Sequence, residues 1–216
     1  MDTAEARRNM VDCQLRTNRV TDPAVLSAMG DLPREAFVPE DLRPLAYSDG
    51  ELEVAEGRAM MAPMIAAKMF QSLEIASEDV VLVIGCASGY AAAVMGRMAR
   101  VVFVLEDDPA ISAKTGETCT SLGLDNVVPV SGPLREGWTK EAPYNAIFID
   151  GAVEMVPEAL CGQLVDGGRL VAVVVENGIG RATRYLKNAS GQSGRVLFDA
   201  KAHLLSDFNQ PQNFVF

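Results

Sequence analysis

The ten residues Val-Leu-Val-Ile-Gly-Cys-Ala-Ser-Gly-Tyr at 81–90 read as a strand that enters a tight glycine turn and leaves it as a helix. Such a junction lets backbone amides face a ligand. The same glycines also serve a plain strand-to-helix connection. A dinucleotide fingerprint would place glycine at Ala87 and at Tyr90, so the pattern argues against a nicotinamide cofactor. The next residue of interest is Glu106, which ends the apolar run 101–105 and stands about 20 residues beyond the turn, where a carboxylate can accept hydrogen bonds from ribose hydroxyls. Taken together, Gly85, Ala87, Ser88, Gly89 and Glu106 are candidates to hold an adenosine-containing ligand. The plain alternative for Glu106 is a solvated acid beside Asp107 and Asp108.

Other chemistries find less support. Cys13, Cys86, Cys119 and Cys161 are scattered without a Cys-x-x-Cys pair, and His203 is the one imidazole, so neither a zinc site nor a disulfide framework is expected. The cysteines read as reduced, structural thiols. A net charge of −10 repels phosphate backbones and anionic lipid, which disfavours nucleic acid and membrane surfaces as partners. No apolar run approaches the ~20 residues that span a bilayer, and residues 1–8 are charged with no apolar stretch behind them, so a cytoplasmic location is expected.

The elements that would position these residues can be read from periodicity. Met10, Val11 and Leu15 fall at helical spacing, and Asp22-Pro23 predicts a cap and first turn of a helix reaching about Met29. Residues 31–58, dense in Pro, Gly and acids, predict a loop, and Pro63 opens a helix with Ile65, Met69 and Leu73 on one face. Met60, Met61, Met64 and Met69 fit core packing better than an adaptable binding surface. From Asp79 onward, strands at 80–84, 101–105, 127–130, 146–149 and 170–175 alternate with helices at 88–98, from Asp108-Pro109 and at 157–164, and Asp166-Gly167-Gly168 reads as a turn. Runs this continuously apolar are covered on both faces, which predicts an α/β, doubly wound, mostly parallel sheet with ligands at the carboxyl ends of its strands. In the tail, 196–205 and 213–216 could pair as an edge hairpin, with Pro211 weighing against it. The expected organisation is one domain over 1–216, with residues 1–78 as a helical and loop extension packed on a Rossmann-like core at 79–216.

Several segments carry a resemblance. Arg-Arg-Asn-Met-Val-Asp-Cys-Gln-Leu-Arg at 7–16, Asp-Pro-Ala-Val-Leu-Ser-Ala-Met at 22–29, Pro-Arg-Glu-Ala-Phe-Val-Pro at 33–39 and Ala-Tyr-Ser-Asp at 46–49 resemble the N-terminal part of protein-L-isoaspartate O-methyltransferases. Ser-Gly-Tyr at 88–90, the stretch 136–147 and the stretch 156–171 are similar to later parts of that family. The resemblance implies a seven-stranded methyltransferase sheet, S-adenosylmethionine as donor, and methylation of the side carboxylate of isoaspartyl residues in damaged proteins. By alignment to the family's acceptor loop it places Tyr47, Ser48 and Asp49 on the acceptor side with Asp150 nearby, and Ser48, Asp49 and Asp150 become the candidate catalytic residues. Tyr47 also reads as a packed aromatic. A carboxylate acceptor is already ionised, so positioning rather than acid-base chemistry is what such a site must supply.

The chain departs from the family pattern at five places. Val83 stands for an acid, Ala87 for the middle glycine, Pro133 for an acid that approaches adenine, and Met61 for a hydroxyl between donor and acceptor, while Asp150-Gly151-Ala152 stands for Thr-Ala-Ala and adds an acid near the acceptor's place. A Cβ at Ala87 would be strained if the turn needs positive φ there, and Ala87 and Met61 would crowd the crevice. These replacements leave open an alternative: a catalytically lapsed homologue, with weak or no donor binding, that acts as a protein-interaction or regulatory module.

Overall fold

The computed structural model describes residues 2–189 and 191–209. Helix α1 (Thr3–Asn9) is capped by the Asp2 carboxylate, which accepts from the amides of Ala4 and Glu5, and it runs on into a π-helical segment at Met10–Leu15. Met10, Val11 and Leu15 are buried, as their spacing predicts. Asp22 caps α2 (Pro23–Asp31) by accepting from Ala24 and Val25, and Pro23 sits where its missing N–H leaves no bond unmade.

Residues 31–58 are more ordered than the expected loop. They hold 3-10 turns at Arg34–Phe37 and Glu40–Leu45, then a small antiparallel hairpin of β1 (Leu52–Ala55) and β2 (Arg58–Met60). Strands this short bury too few side chains to show alternation against an acidic background. Helix α3 (Pro63–Ser72) buries Ala66, Ala67, Met69 and Phe70, while Ile65 is only partly covered. Met60, Met61 and Met69 are all buried, so this part of the methionine group packs the core.

The remaining elements are β3 (Val80–Ile84), α4 (Tyr90–Gly96), β4 (Val101–Glu106), α5 (Pro109–Ser121), β5 (Val127–Ser131), β6 (Tyr144–Val153), α6 (Glu158–Gly162), β7 (Leu164–Glu176), β8 (Ile179–Asn188) and β9 (Gly191–Asp199). Strands β3 to β9 form one seven-stranded sheet in the order β5-β4-β3-β6-β7-β8-β9. The five strands from β5 to β7 are parallel to one another, and β8 and β9 are antiparallel additions. The chain leaves β3 toward one edge and returns to pair β6 on its other side, so the topological switch point lies at the carboxyl ends of β3 and β6. In open α/β sheets that is where ligands bind.

The continuous apolar runs split by parity. Val81, Val83, Phe148, Val171 and Val173 join one buried cluster, which also contains Met10, Val25, Phe37 and Phe70 from the N-terminal residues. Leu82, Ile84, Ile147, Ile149, Leu170 and Ala172 join a second cluster on the opposite face. Close approach of helix to sheet depends on Gly96 of α4, where an added Cβ would stand 2.7 Å from Val127 Cγ2.

One expectation is corrected. Asp166-Gly167-Gly168 is not a separate turn before a strand; it lies inside β7, where the pairing with β6 jumps from Tyr144↔Leu164 to Ala146↔Arg169. Residues 196–199 belong to β9, which pairs with β8, and the stretch 213–216 expected to pair with 196–205 lies outside the described residues. β8 escaped the sequence reading because its polar and charged residues, Arg181, Arg184 and Lys187 among them, hide a strand with only Ala182 and Thr183 buried. Among the described residues, no helix is long and apolar enough to cross a membrane.

Candidate functional site

The glycine turn after β3 places its left-handed backbone at Gly85, with φ 74°, and at Gly89, with φ 78°. Ala87 is not a positive-φ residue, which corrects the expectation of strain there. The turn closes instead through the Ala87 amide donating to the Gly85 carbonyl at 3.1 Å and the Gly89 amide donating to the Cys86 carbonyl at 2.9 Å. A Cβ at Ala87 is therefore tolerated by the backbone. The Ser88 hydroxyl accepts from the Tyr90 amide at 3.1 Å and so organises the start of α4. Val83 is fully buried within β3 and is part of the core.

Glu106 ends β4, next to β3, and is completely buried. Neither of its carboxylate oxygens has a hydrogen-bond partner, and the nearest cation is Arg58, whose Nη2 lies 3.5 Å from Oε2 and also pairs with Asp107. Burial pushes the Glu106 carboxyl up to about 7 even though Arg58 opposes the rise. Asp150, near the end of β6, is also buried and is pushed up to about 6 by desolvation, against the Cys86 thiol that hydrogen-bonds it and the Arg34 charge. The Cys86 thiol in turn is held well above its usual range by burial and by Asp150.

Arg34 is a fully buried guanidinium. Its Nε donates to the Ala46 carbonyl at 2.6 Å, Nη2 donates to the Met61 carbonyl, and the group lies 4.8 Å over the Tyr90 ring. It thus pins the segment entering 46–49 and the segment at Met61 to the start of α4. Tyr47 donates its hydroxyl to Glu35 and accepts from the Arg34 amide at 3.3 Å, which makes it a packed, partnered aromatic. Asp49 lines a cavity of about 490 Å³ together with Glu51, Glu53, Ala62, Ile65 and His203. Ser48 is not among that cavity's lining residues and is half-buried, with its amide donating to the Leu45 carbonyl at 2.9 Å. Asp150 stands deeper, within the field of Glu51.

Three site residues were not singled out from the sequence: Arg58, Arg34 and Leu205. After β9 the chain turns back across the carboxyl end of the sheet. The Ala152 amide donates to the His203 carbonyl at 2.7 Å, the Leu205 amide donates to the Ala152 carbonyl at 2.9 Å, and the His203 amide donates to Glu51 at 2.8 Å. Leu205 fills the space over both switch-point glycines: a Cβ on Gly85 would stand 2.9 Å from Leu205 Cδ1, and one on Gly151 would stand 2.6 Å from Leu205 Cγ. The same Cβ on Gly85 would stand 3.3 Å from Arg58 Nη1. No local pattern could have revealed this, because Arg58 meets an acid 49 residues away and Leu205 meets one glycine in the turn after β3 and another in β6.

These residues give a divided answer on an adenosyl ligand. The glycine cradle and the buried, unbonded Glu106 carboxylate are of the type that holds one. Leu205 and Arg58 stand over the Gly85 turn, so no methyl-transfer step is read from this arrangement.

The family model described as protein-L-isoaspartate(D-aspartate) O-methyltransferase matches residues 6–201. Protein-L-isoaspartate O-methyltransferase 2 of Shewanella sediminis is 44% identical over 166 residues, covering 77% of this chain and 68% of that protein. The protein-L-isoaspartate O-methyltransferase of Pelotomaculum thermopropionicum is 40% identical over 171 residues, covering 79% and 75%. Among solved structures, a protein-L-isoaspartate O-methyltransferase superposes with a TM-score of 0.83 at 24% identity, covering 93% of this chain and 66% of that one. A Plasmodium falciparum relative, solved in complex with S-adenosyl-L-homocysteine, gives a TM-score of 0.80 at 18% identity, covering 93% and 98%. The structural likenesses bear on the fold, the sequence matches on kinship, and with the family model spanning nearly the whole described chain, this protein belongs to the protein-L-isoaspartate(D-aspartate) O-methyltransferase family.

Proposed function

We propose that the chain is an S-adenosylmethionine-dependent methyltransferase that esterifies the side carboxylate of isoaspartyl residues in damaged proteins. Family membership supports the reaction class. The single structural observation behind it is Glu106, a fully buried carboxylate with no hydrogen bond to either oxygen, set beside the Gly85 turn at the sheet's switch point. Leaving a buried acceptor unbonded costs roughly 1–3 kcal/mol, more for a charged group, and a ligand offering two hydroxyls would relieve that cost.

When bound, the donor supplies an electrophilic methyl group. The chain's own residues bind and orient. Gly85, Ser88, Gly89 and Glu106 frame the donor side, with Ala87 forming the outer part of the turn. Asp49 and the cavity it lines face the acceptor, Ser48 supports that loop, and Asp150 sits beneath with Arg34 holding the loop in register. An isoaspartyl carboxylate is ionised near neutral pH, so no general base is required of these groups. The reading includes a single domain, with residues 1–78 as an extension on the 79–216 core, acting in the cytoplasm on protein or peptide substrates rather than on nucleic acid or membranes.

The test combines calorimetric titration with S-adenosylhomocysteine and an ester-formation assay on an isoaspartyl peptide and its normal aspartyl counterpart. Ester on the isoaspartyl peptide alone, with donor-product binding abolished by Glu106→Ala, is the expected result. A second reading, the lapsed homologue acting through protein contacts, is favoured by the Leu205 side chain over Gly85 and Gly151. No ester and no binding at millimolar ligand would decide for it.

A further inference from the structure

Residues 203–208 do not hang from the sheet edge as a free tail. They are tied by two main-chain hydrogen bonds to Ala152 and by the His203 amide donating to the Glu51 carboxylate, and they are anchored by two apolar side chains, Leu205 at 4% exposure and Phe208 at 0%. Both side chains belong to the buried cluster that includes Leu82, Ile84 and Leu105. A short 3-10 turn at Ser206–Phe208 then places Asp207 beside Asp107 in the lining of one cavity, and Arg135 Nη1 donates to the Asn209 carbonyl at 3.3 Å. The segment therefore crosses the crevice from the acceptor side, at Glu51, to the side beyond β4, at Asp107 and Arg135.

Along that path it meets each feature expected of the donor pocket. Leu205 covers the two glycines whose missing Cβ atoms would otherwise leave room for a ligand against the backbone. Arg58 lies over the same turn and places its guanidinium beside Glu106, where a ribose would stand. On either side of this closure the protein keeps a cavity: about 490 Å³ beside Asp49 and His203, and about 410 Å³ beside Asp107, Pro133 and Asp207.

The geometry points to segment 203–208 as an intramolecular occupant of the donor crevice, so that this strap and an adenosyl ligand exclude one another. It rests on the donor site proposed above and adds a closed state to it. Ligand binding requires the strap to lift, and the affinity measured for the native chain is the intrinsic affinity reduced by the fraction of molecules in which it has lifted. Because Leu205 is the apolar side chain that lies against Gly85 and Gly151, trimming it shifts the chain toward the open state.

The experiment uses the full chain and S-adenosylhomocysteine as probe. Leu205→Ala is expected to bind it at least about tenfold more tightly than the native protein, equivalent to about 1.4 kcal/mol. In the native protein, saturating probe is expected to speed hydrogen exchange at the Leu205 and Phe208 amides. A double variant, Asp107→Cys with Asp207→Cys, locks the strap by disulfide; its oxidised form should not bind and reduction should restore binding, which keeps the test independent of how Leu205→Ala folds. Equal affinity of native and Leu205→Ala proteins, or of the oxidised and reduced double variant, overturns the strap and leaves the methyltransferase reading standing. Absence of binding in every one of these proteins overturns the strap and removes the donor site with it.

Discussion

Glu106 is expected to weaken the fold in the pH range where it would be useful. Its carboxyl titrates at about 7 in the folded chain against 4.5 for the ordinary group, because burial disfavours the charge more than Arg58 favours it. Below 4.5 both folded and unfolded chains carry the proton and the group is neutral toward stability. As pH rises from 4.5 to 7 the unfolded chain ionises first, so stability is lost progressively, and the loss levels off above 7. The linkage relation puts this loss at about 1 kcal/mol at pH 5 and about 3 kcal/mol at pH 8. Glu106→Gln keeps the shape and removes the ionisation, while Arg58 retains its pairing with Asp107. Urea denaturation of both proteins at pH 5 and pH 8 should therefore show the variant more stable, with the advantage growing by about 2 kcal/mol between the two. An advantage that does not change with pH, or a variant less stable than the native chain at pH 8, would refute the assignment of Glu106 as a buried charge held for a ligand.

Arg34→Ala should lower stability by about 3–5 kcal/mol, since the buried Ala46 and Met61 carbonyls lose their donor together, and a loss below about 1 kcal/mol by denaturation would count against the clamp. Arg34→Lys should recover little of it, because one ammonium cannot reproduce the fork that reaches both carbonyls and stacks on Tyr90. Arg169, on β7, donates to the carbonyls of Leu73, Glu74 and Asn145 and pairs with Asp79 at 2.7 Å, so Arg169→Met should cost about 2–4 kcal/mol and loosen the end of α3 from the sheet. Unchanged hydrogen exchange around Leu73 and Glu74 in that variant would show the tie to be dispensable.

Much of the framework was legible because its causes are local. Five apolar runs from Val80 to Val175 gave the parallel strands, since a strand covered on both faces has no polar side to display. Asp22-Pro23 and Asp108-Pro109 gave helix starts because a side-chain acceptor and a proline act on amides two or three residues away. The glycine turn at 85–89 and the buried acid at 106 were read from the same kind of short-range pattern. The antiparallel pair β8 and β9 was less legible, since an edge that is largely exposed carries almost any residue.

The sequence by itself determined the ancestry, the parallel sheet and the glycine turn after its first parallel strand, because strand polarity, capping and turn chemistry are settled within a few residues. Only the tertiary structure decided that Ala87 is unstrained, that Arg58 faces Glu106, and that Leu205 covers Gly85 and Gly151. Those outcomes depend on how much empty volume and unpaired charge remain once the strands are side by side, and chain segments far apart in the sequence compete to fill them.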